Sequence, residues 1–271
     1  MENIDYKSLI NNINPKKRLG QNFLLEENIA RAEAAYGKGR KVVELGPGLG
    51  ILTRELCAVA KSVLAIEKDS NLYEFLKDGI RSANLNLANG DFFEMEESAF
   101  NDIEIMISNI PYNLSSKTVF WLSRNHIPAV LCLQKEFVEH MLALPDTRDY
   151  SRLSVLSSLQ FNMYEIMDVK PSSFYPVPNV SSSIVFLKPK EGYIGNDNIE
   201  VIGMLMNHKK KKIRNAVLDS VENMRISKEQ ARQMIEKLDH ADERAFKLEP
   251  DVINSIASEI NKMLRAFKKS I

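Results

Sequence analysis

The 271 residues contain only two cysteines, Cys57 and Cys132, each inside an apolar stretch. Two thiols cannot build a metal site by themselves, so both are read as reduced core residues and no metal is expected. Long apolar runs are missing as well. No segment approaches about 18 uninterrupted apolar residues, which leaves no candidate for a membrane span. Met1–Asn14 is polar and mixed in charge and lacks the apolar centre of a secretory signal. A cytoplasmic protein is expected, in which the N-x-S sequons at Asn113 and Asn179 carry no glycan. Net charge is absent too: 36 Lys and Arg balance 36 Asp and Glu. A polyanionic partner must therefore be met by local clusters rather than by an overall field. What is present is an ordinary globular composition, 44% hydrophobic and 27% charged. The length suits one large domain or a large and a small one.

Strand-like and helix-like segments alternate from Lys41 to about Lys188. Lys41–Leu45, Ser62–Ile66, Asn84–Ala88, Ile103–Ser108 and Ala129–Leu133 read as strands, the last apolar throughout, as a buried parallel strand requires. Ile51–Ala60, Ser70–Arg81 and Ser115–Ser123 read as helices, with Asp69 or Ser70 as N-cap for the second. Such alternation predicts a doubly wound α/β sheet. Ser181–Leu187 reads as a late strand that forms a hairpin with Tyr164–Val169. Lys188–Asp197 reads as a linker, and helical periodicity over Ile199–Val221, Ser227–Leu238 and Pro250–Phe267 predicts a small helical domain. The expected domains are residues 1–190 and 191–271.

The first strand runs into Gly46-Pro47-Gly48-Leu49-Gly50 and then a helix. Glycines let the chain turn tightly and a ligand approach the backbone. The dinucleotide fingerprint wants its third glycine at the sixth position, where Ile51 stands. The spacing resembles instead the G-x-G-x-G turn of class I methyltransferases, which wraps the amino-acid end of S-adenosylmethionine. Glu67 ends the second strand about twenty residues on, where a carboxylate can accept both hydroxyls of a ribose; Lys68 adjoins it. After the third strand, Asp91 can accept from an adenine amino group, with Phe92 against the ring. Glu44, inside the first strand, is expected to order the turn through backbone amides. Each of these residues has a plainer reading as a solvated charge or a turn former, and the strand order in which they occur outweighs it.

Asn109-Ile110-Pro111-Tyr112 closes the fourth strand, at the sheet edge where open α/β folds bind ligands. The adenine N6 lone pair is delocalised into its ring. Acceptors on the two amine hydrogens, the Asn109 side-chain oxygen and the Ile110 carbonyl, can pull that nitrogen toward a tetrahedral shape. Tyr112 offers a stacking face. Positioning then supplies most of the acceleration, and no base is needed before transfer.

These motifs, together with Lys17–Leu24, Gln134-Lys135-Glu136, Tyr150–Val155 and Phe174–Val180, closely resemble the ribosomal RNA small-subunit adenine dimethyltransferases. That family dimethylates N6 of two adjacent adenosines near the 3′ end of small-subunit rRNA. The resemblance spans nearly the whole chain and implies a Rossmann-like class I methyltransferase sheet with a C-terminal helical domain. S-adenosylmethionine is the implied cofactor, and the small ribosomal subunit or its precursor the implied partner of a monomeric enzyme. Gln21, Asn22 and Leu24 would contact the cofactor, and Phe174 would stack on a flipped adenine opposite Tyr112, presented by a rigid, exposed Pro-rich loop. The family's tetrapeptide often has Pro where this chain has Ile110, but only the carbonyl of that residue is used. Two alternatives stand beside this reading: the related methyltransferases of large-subunit rRNA that confer macrolide resistance, and a non-enzymatic assembly factor. The intact Asn109 and Tyr112 speak against the second.

Two basic clusters, Lys16-Lys17-Arg18 and Lys209-Lys210-Lys211-Lys212 with Arg214, suit phosphate contacts. A solvated helix face is the plainer account of such a run. His126, His140 and His240 stand singly and are assigned no chemistry.

Overall fold

The computed structural model describes residues 14–191 and 196–269. The polar start expected to lack a secretory signal (1–13) and the middle of the expected linker (192–195) lie outside the described residues. The chain divides into two compact units.

The first unit comprises residues up to Val138 together with Asn162–Pro189. An arm leads into a short strand β1 (Phe23–Leu24) and helix α1 (Glu27–Ala34). Then come β2 (Lys41–Leu45), α2 (Ile51–Val59), β3 (Ser62–Glu67), α3 (Ser70–Gly79), β4 (Leu85–Asn89), β5 (Ile105–Asn109), α4 (Ser115–Asn125) and β6 (Ala129–Gln134). Helix α5 (Lys135–Leu142) begins in this unit and runs past its boundary at Val138, and strands β7 (Phe161–Val169), β8 (Phe174–Tyr175) and β9 (Ser182–Pro189) complete the unit. Seven strands form one sheet in the order β4-β3-β2-β5-β6-β9-β7, with β2 to β6 parallel and β9 antiparallel to β6. The two strands expected to pair as a hairpin, β7 and β9, are neighbours in the sheet, with the short β8 between them in sequence. Val42, Val43, Val63, Ala65, Ile105, Ile107 and Val130 are buried, because a parallel sheet has helices on both faces and needs apolar residues on both. Asp69 is the N-cap of α3 and accepts from the Asn71 amide.

Strand order reverses between β2 and β5, which lie side by side in the register Val42↔Ile105 and Val43↔Met106. From β2 the chain steps outward to β3 and β4, then returns to β5 on the other side. Loops leaving β2 and β5 therefore diverge and open a crevice at the strands' carboxyl ends. The Ser108 hydroxyl donates to the Leu45 carbonyl (2.6 Å) and ties the two strand ends together.

The second unit is Glu139–Phe161 plus Lys190 onward. It holds α6 (Arg152–Gln160), α7 (Asn196–Asn207), α8 (Ile213–Asp219), α9 (Val221–Met224), α10 (Lys228–Ile235) and α11 (Pro250–Lys269). Ile202, Leu205, Val217, Ile253, Ile256 and Ile260 form its core. Two expectations need correction. Residues 139–161 were expected in the first domain. They join this core instead through Tyr150, Val155 and Leu159, and the Tyr150 hydroxyl donates to the Leu248 carbonyl (2.9 Å). The expected helix Ile199–Val221 is broken after Asn207. Lys212 caps α8 in extended conformation and bridges to Arg244, and the Lys209 ammonium donates to the carbonyls of Arg148 and Tyr150. Among the described residues no helix is long and apolar enough to cross a membrane.

Candidate active site

The glycine turn follows β2 at the strand-order reversal. Gly46 (φ 69°), Gly48 (φ 59°) and Gly50 (φ 80°) all take the left-handed conformation that side chains resist. Their roles then separate. Gly46 and Gly48 line the crevice, and a Cβ on Gly48 would come within 2.9 Å of the Phe23 ring. Gly50 faces elsewhere: a Cβ there would meet Ile80 and Leu76 at 2.6 Å. It permits close packing of α2 on α3 and does not line the crevice, contrary to its expected cofactor role.

Glu44 is also removed from the crevice. It is buried, and its carboxylate accepts the Thr53 hydroxyl of α2 (2.7 Å) rather than amides of the turn. One of those amides, that of Gly48, is met by Glu67. Its Oε2 accepts the Gly48 N–H (3.1 Å) and its Oε1 the Asp69 N–H (2.8 Å). Burial raises the pKa of Glu67, and the two amide bonds pull it only part of the way back.

Burial pushes Glu44 further, up to about 8, despite the Thr53 hydrogen bond. A carboxyl whose folded pKa is raised contributes stability that is complete below its unfolded pKa and is lost as pH rises through the folded value. The thermal midpoint should therefore fall between pH 5 and pH 9. Glu44→Gln should flatten that fall by up to about 1.4 kcal/mol per pH unit. Identical slopes in melts of the two proteins would show that Glu44 does not titrate there.

Beside Glu67, the exposed Lys68 pairs with Asp91 (2.7 Å). Burial would raise the Asp91 pKa, but hydrogen bonds from Lys68 and the Phe93 amide outweigh it and hold the carboxylate ionised. Phe92 is buried with Phe100 and Trp121 against it, and it lines the crevice. Phe93, which motif spacing did not single out, also lines the crevice and has the Lys117 ammonium 4.1 Å above its ring.

One wall is the amino-terminal arm. The Lys16 ammonium and the Gln21 amide both donate to Asp69 (2.6 and 3.0 Å), and the Lys16 N–H donates to Gln21 Oε1 (2.7 Å). Burial works against that carboxylate, and these bonds still hold its pKa below the usual range. Gln21 lines the crevice, but both ends of its amide are used in clasping the arm. Lys16 likewise serves the clasp, whereas Lys17 and Arg18 are exposed. Asn22 lines the crevice and donates to the Gly20 carbonyl (3.2 Å). Leu24 does not line it: the side chain is buried in the core and its backbone pairs with Phe174.

The tetrapeptide also lines the crevice and lies next to the arm, where a Cβ on Gly20 would come within 3.5 Å of Pro111. Asn109 ends β5, paired in register with Cys132. Its Oδ1 is buried and accepts no hydrogen bond. Ile110 is buried, and Pro111 directs the chain into the turn that starts α4. The Tyr112 hydroxyl shares a hydrogen bond with Ser182 (2.7 Å), which fixes the ring. Burial raises the phenol's pKa despite that bond, so Tyr112 stays neutral and serves as a surface. Phe174 lines the same crevice. It is 3% exposed and not presented on an open loop as expected, because β1-β8 pairing draws it into the core.

The second basic cluster lies in the second unit and is largely compensated. Lys211 pairs with Asp219, and Lys212 and Arg214 with Asp242. With Lys209 committed to carbonyls, Lys210 alone of the run makes no ion pair or hydrogen bond among the described residues.

Sequence reasoning missed Glu33. It is 1% exposed on the buried face of α1, with Ile29, Ala30 and Ala34. A carboxylate at a position that helical periodicity assigns to an apolar face was the available signal.

Comparison with known proteins agrees with this geometry. Residues 12–262 match the family model described as ribosomal RNA adenine dimethylase. A protein of Methanopyrus kandleri named "Probable ribosomal RNA small subunit methyltransferase A" is 36% identical, over 97% of this chain and 100% of its own length. Its Mycoplasma mobile counterpart is 38% identical over 69% of this chain and 75% of its own. The crystal structure of a dimethyladenosine transferase from Plasmodium falciparum superposes with a TM-score of 0.74 at 29% identity, covering 89% of this chain and 98% of that one.

Proposed function

The chain belongs to the ribosomal RNA adenine dimethylase family, and from that premise we propose that it dimethylates N6 of two adjacent adenosines near the 3′ end of small-subunit rRNA. Its first unit is the Rossmann-like sheet of class I methyltransferases, and its methyl donor is S-adenosylmethionine. The enzyme acts in the cytoplasm as a monomer on the small ribosomal subunit or its precursor. The observation that carries the reading is the buried, unpartnered Asn109 Oδ1 at the end of β5, an acceptor beside the glycine turn with no protein donor to satisfy it.

The crevice fits the donor. Gly46, Gly48, Glu67, Asp91 and Phe92 line it together; Gly46 and Gly48 leave bare backbone where the donor's amino-acid end would lie, Glu67 would hold the ribose, and Asp91 with Phe92 would frame the adenine. Bound there, S-adenosylmethionine supplies an electrophilic methyl on sulfur. The protein's own groups do the rest. Asn109 Oδ1 and the Ile110 carbonyl accept the two amine hydrogens and turn the N6 lone pair out of conjugation. Tyr112 and Phe174 hold the ring, which offsets the cost of taking a base out of its stack. Fixed acceptors need no reorganisation as positive charge develops on the amine. The proton leaves to solvent after transfer.

Incubation with labelled cofactor and isolated small or large ribosomal subunits tests the substrate. Label is expected in two adjacent adenosines of small-subunit rRNA, and label confined to large-subunit rRNA would overturn the proposal.

Lys17, Arg18 and the Lys210–Lys212 turn with Arg214 are proposed phosphate contacts. The internal ion pairs grade them. Lys210→Gln should lower the slope of log affinity against log salt by about one. Lys211→Gln and Lys212→Gln should each lower it less, because Asp219 and Asp242 already hold those charges. Cofactor affinity should stay unchanged in all three, and equal slopes for all three variants would contradict the grading.

A further inference from the structure

The bond between Tyr112 and Ser182 links the two rings of the proposed base slot. Tyr112 stands three residues past the end of β5, in the turn that starts α4. Its carbonyl accepts the Ser115 hydroxyl (2.9 Å), which holds the ring's own backbone. The far end of the ring is held from another strand. The Tyr112 hydroxyl lies 2.7 Å from Oγ of Ser182, the first residue of β9. In the sheet β6 lies between β5 and β9, so the contact spans a strand. Ser182 is wholly buried and does not line the crevice. Its backbone is set by pairing with Gln134 of β6, and the Lys135 N–H continues that pairing onto the Ser181 carbonyl (2.9 Å).

The second ring hangs from the same strand. Phe174 belongs to β8, and residues 176–181 run from β8 straight into Ser182. Pro176 and Pro178 each fix a backbone angle on the way. Without the Ser182 bond a half-buried tyrosine can turn among staggered side-chain wells, and the distance between the two rings is no longer set. We propose that Ser182 is a positioning residue that sets the width and tilt of the slot between Tyr112 and Phe174, and so holds the adenine amine in line for both methyl transfers. This rests on the adenine-methylating reading above. Ser182 touches neither base nor cofactor and acts through the Tyr112 hydroxyl. Its neighbour Ser183 supplies the contrast. Successive strand residues face opposite sides, and the Ser183 hydroxyl meets carboxylates of β7 instead, 2.8 Å from Asp168 and 2.9 Å from Glu165.

Loss of the bond frees the ring without removing it. In Ser182→Ala, kcat for methyl transfer to small ribosomal subunits should fall about 10-fold. The RNA KM and cofactor Kd should stay within about twofold, because the phosphate contacts and the glycine turn are untouched. The second transfer starts from a bulkier amine with one hydrogen, which a loosened slot aims less well. Product should therefore shift toward N6-monomethyladenosine. Tyr112→Phe keeps the ring and removes the other half of the bond, so it should show the same loss and the same shift. The double variant should be no worse than either single one, since all three lack one and the same interaction. Ser183→Ala should keep the wild-type kcat and product ratio.

A Ser182→Ala protein with wild-type kcat and product ratio overturns the proposal. So do losses that add in the double variant, which would make Ser182 a matter of general packing, and an equal product shift in Ser183→Ala. Should Ser182→Ala not fold, Tyr112→Phe carries the test from the other end of the bond, and wild-type behaviour there overturns the proposal equally. Wild-type enzyme run in parallel separates the two levels. No transfer by wild type would defeat the functional reading itself, whereas normal transfer by wild type and Ser182→Ala alike defeats only the role of Ser182.

Discussion

Asn109→Ala should lower methyl transfer to small-subunit RNA by about 10³-fold at saturating cofactor while leaving cofactor affinity within a few-fold. The asymmetry follows from where the side chain points. Asn109 contributes a single preorganised acceptor, and removing one such group from a reacting centre costs roughly 10²–10³ in rate. The upper end applies because Oδ1 is buried and already stripped of competing donors. Alanine leaves a gap that water can enter only by displacing the target amine. The strand end itself should persist, since the Ser108 hydroxyl bond to Leu45 does not involve Asn109, so the glycine turn keeps its shape. Labelled methyl transfer and calorimetric titration of cofactor, read together, check both halves. Transfer within tenfold of wild type would remove Asn109 from the mechanism. A parallel collapse of cofactor affinity would make its role structural.

What the sequence disclosed about this site divides along physical lines. The parallel strands, the reversal of strand order and the loops at their ends were legible because each is written in local periodicity and in glycine and proline positions. Gly46, Gly48, Glu67, Asp91 and Asn109 followed from that frame, since loop residues at one sheet edge must face one crevice. Residues whose direction depends on a neighbouring element were misjudged. Glu44 and Gly50 belong to the same motif as Glu67 and Gly48, yet one bonds Thr53 and the other packs on Leu76 and Ile80. Leu24 and Phe174 pair with each other across about 150 residues, and no local pattern announces that strand pair. The lysine run looked like a helix face because periodicity is blind to its bonds with backbone carbonyls and Asp242. Glu33 went unnoticed because a charged residue on a helix is ordinarily assigned to solvent. Its burial comes from tertiary packing that no local pattern announces.

Glu67→Ala should raise the cofactor Kd by about 100-fold and leave methyl transfer at saturating cofactor within about tenfold, the reverse of the Asn109 pattern. In the proposed complex two ribose hydroxyls donate to this carboxylate, and hydrogen bonds to a charged acceptor are worth about 1.5–3 kcal/mol each. Part of that is already in use, because the carboxylate accepts the Gly48 and Asp69 amides. Alanine therefore removes the ribose anchor and also leaves a turn amide without its partner. Glu67→Gln separates these contributions. Glutamine has one acceptor oxygen where two amides converge, so its NH₂ must face either Gly48 or Asp69, donor against donor. A substitution that is mild at most surface glutamates should here raise Kd about tenfold and lower the thermal midpoint of the free protein. A Kd unchanged in both variants would refute the ribose assignment. A Kd raised in Glu67→Ala alone would mean that one neutral acceptor suffices and that neither the carboxylate's charge nor its second amide bond matters.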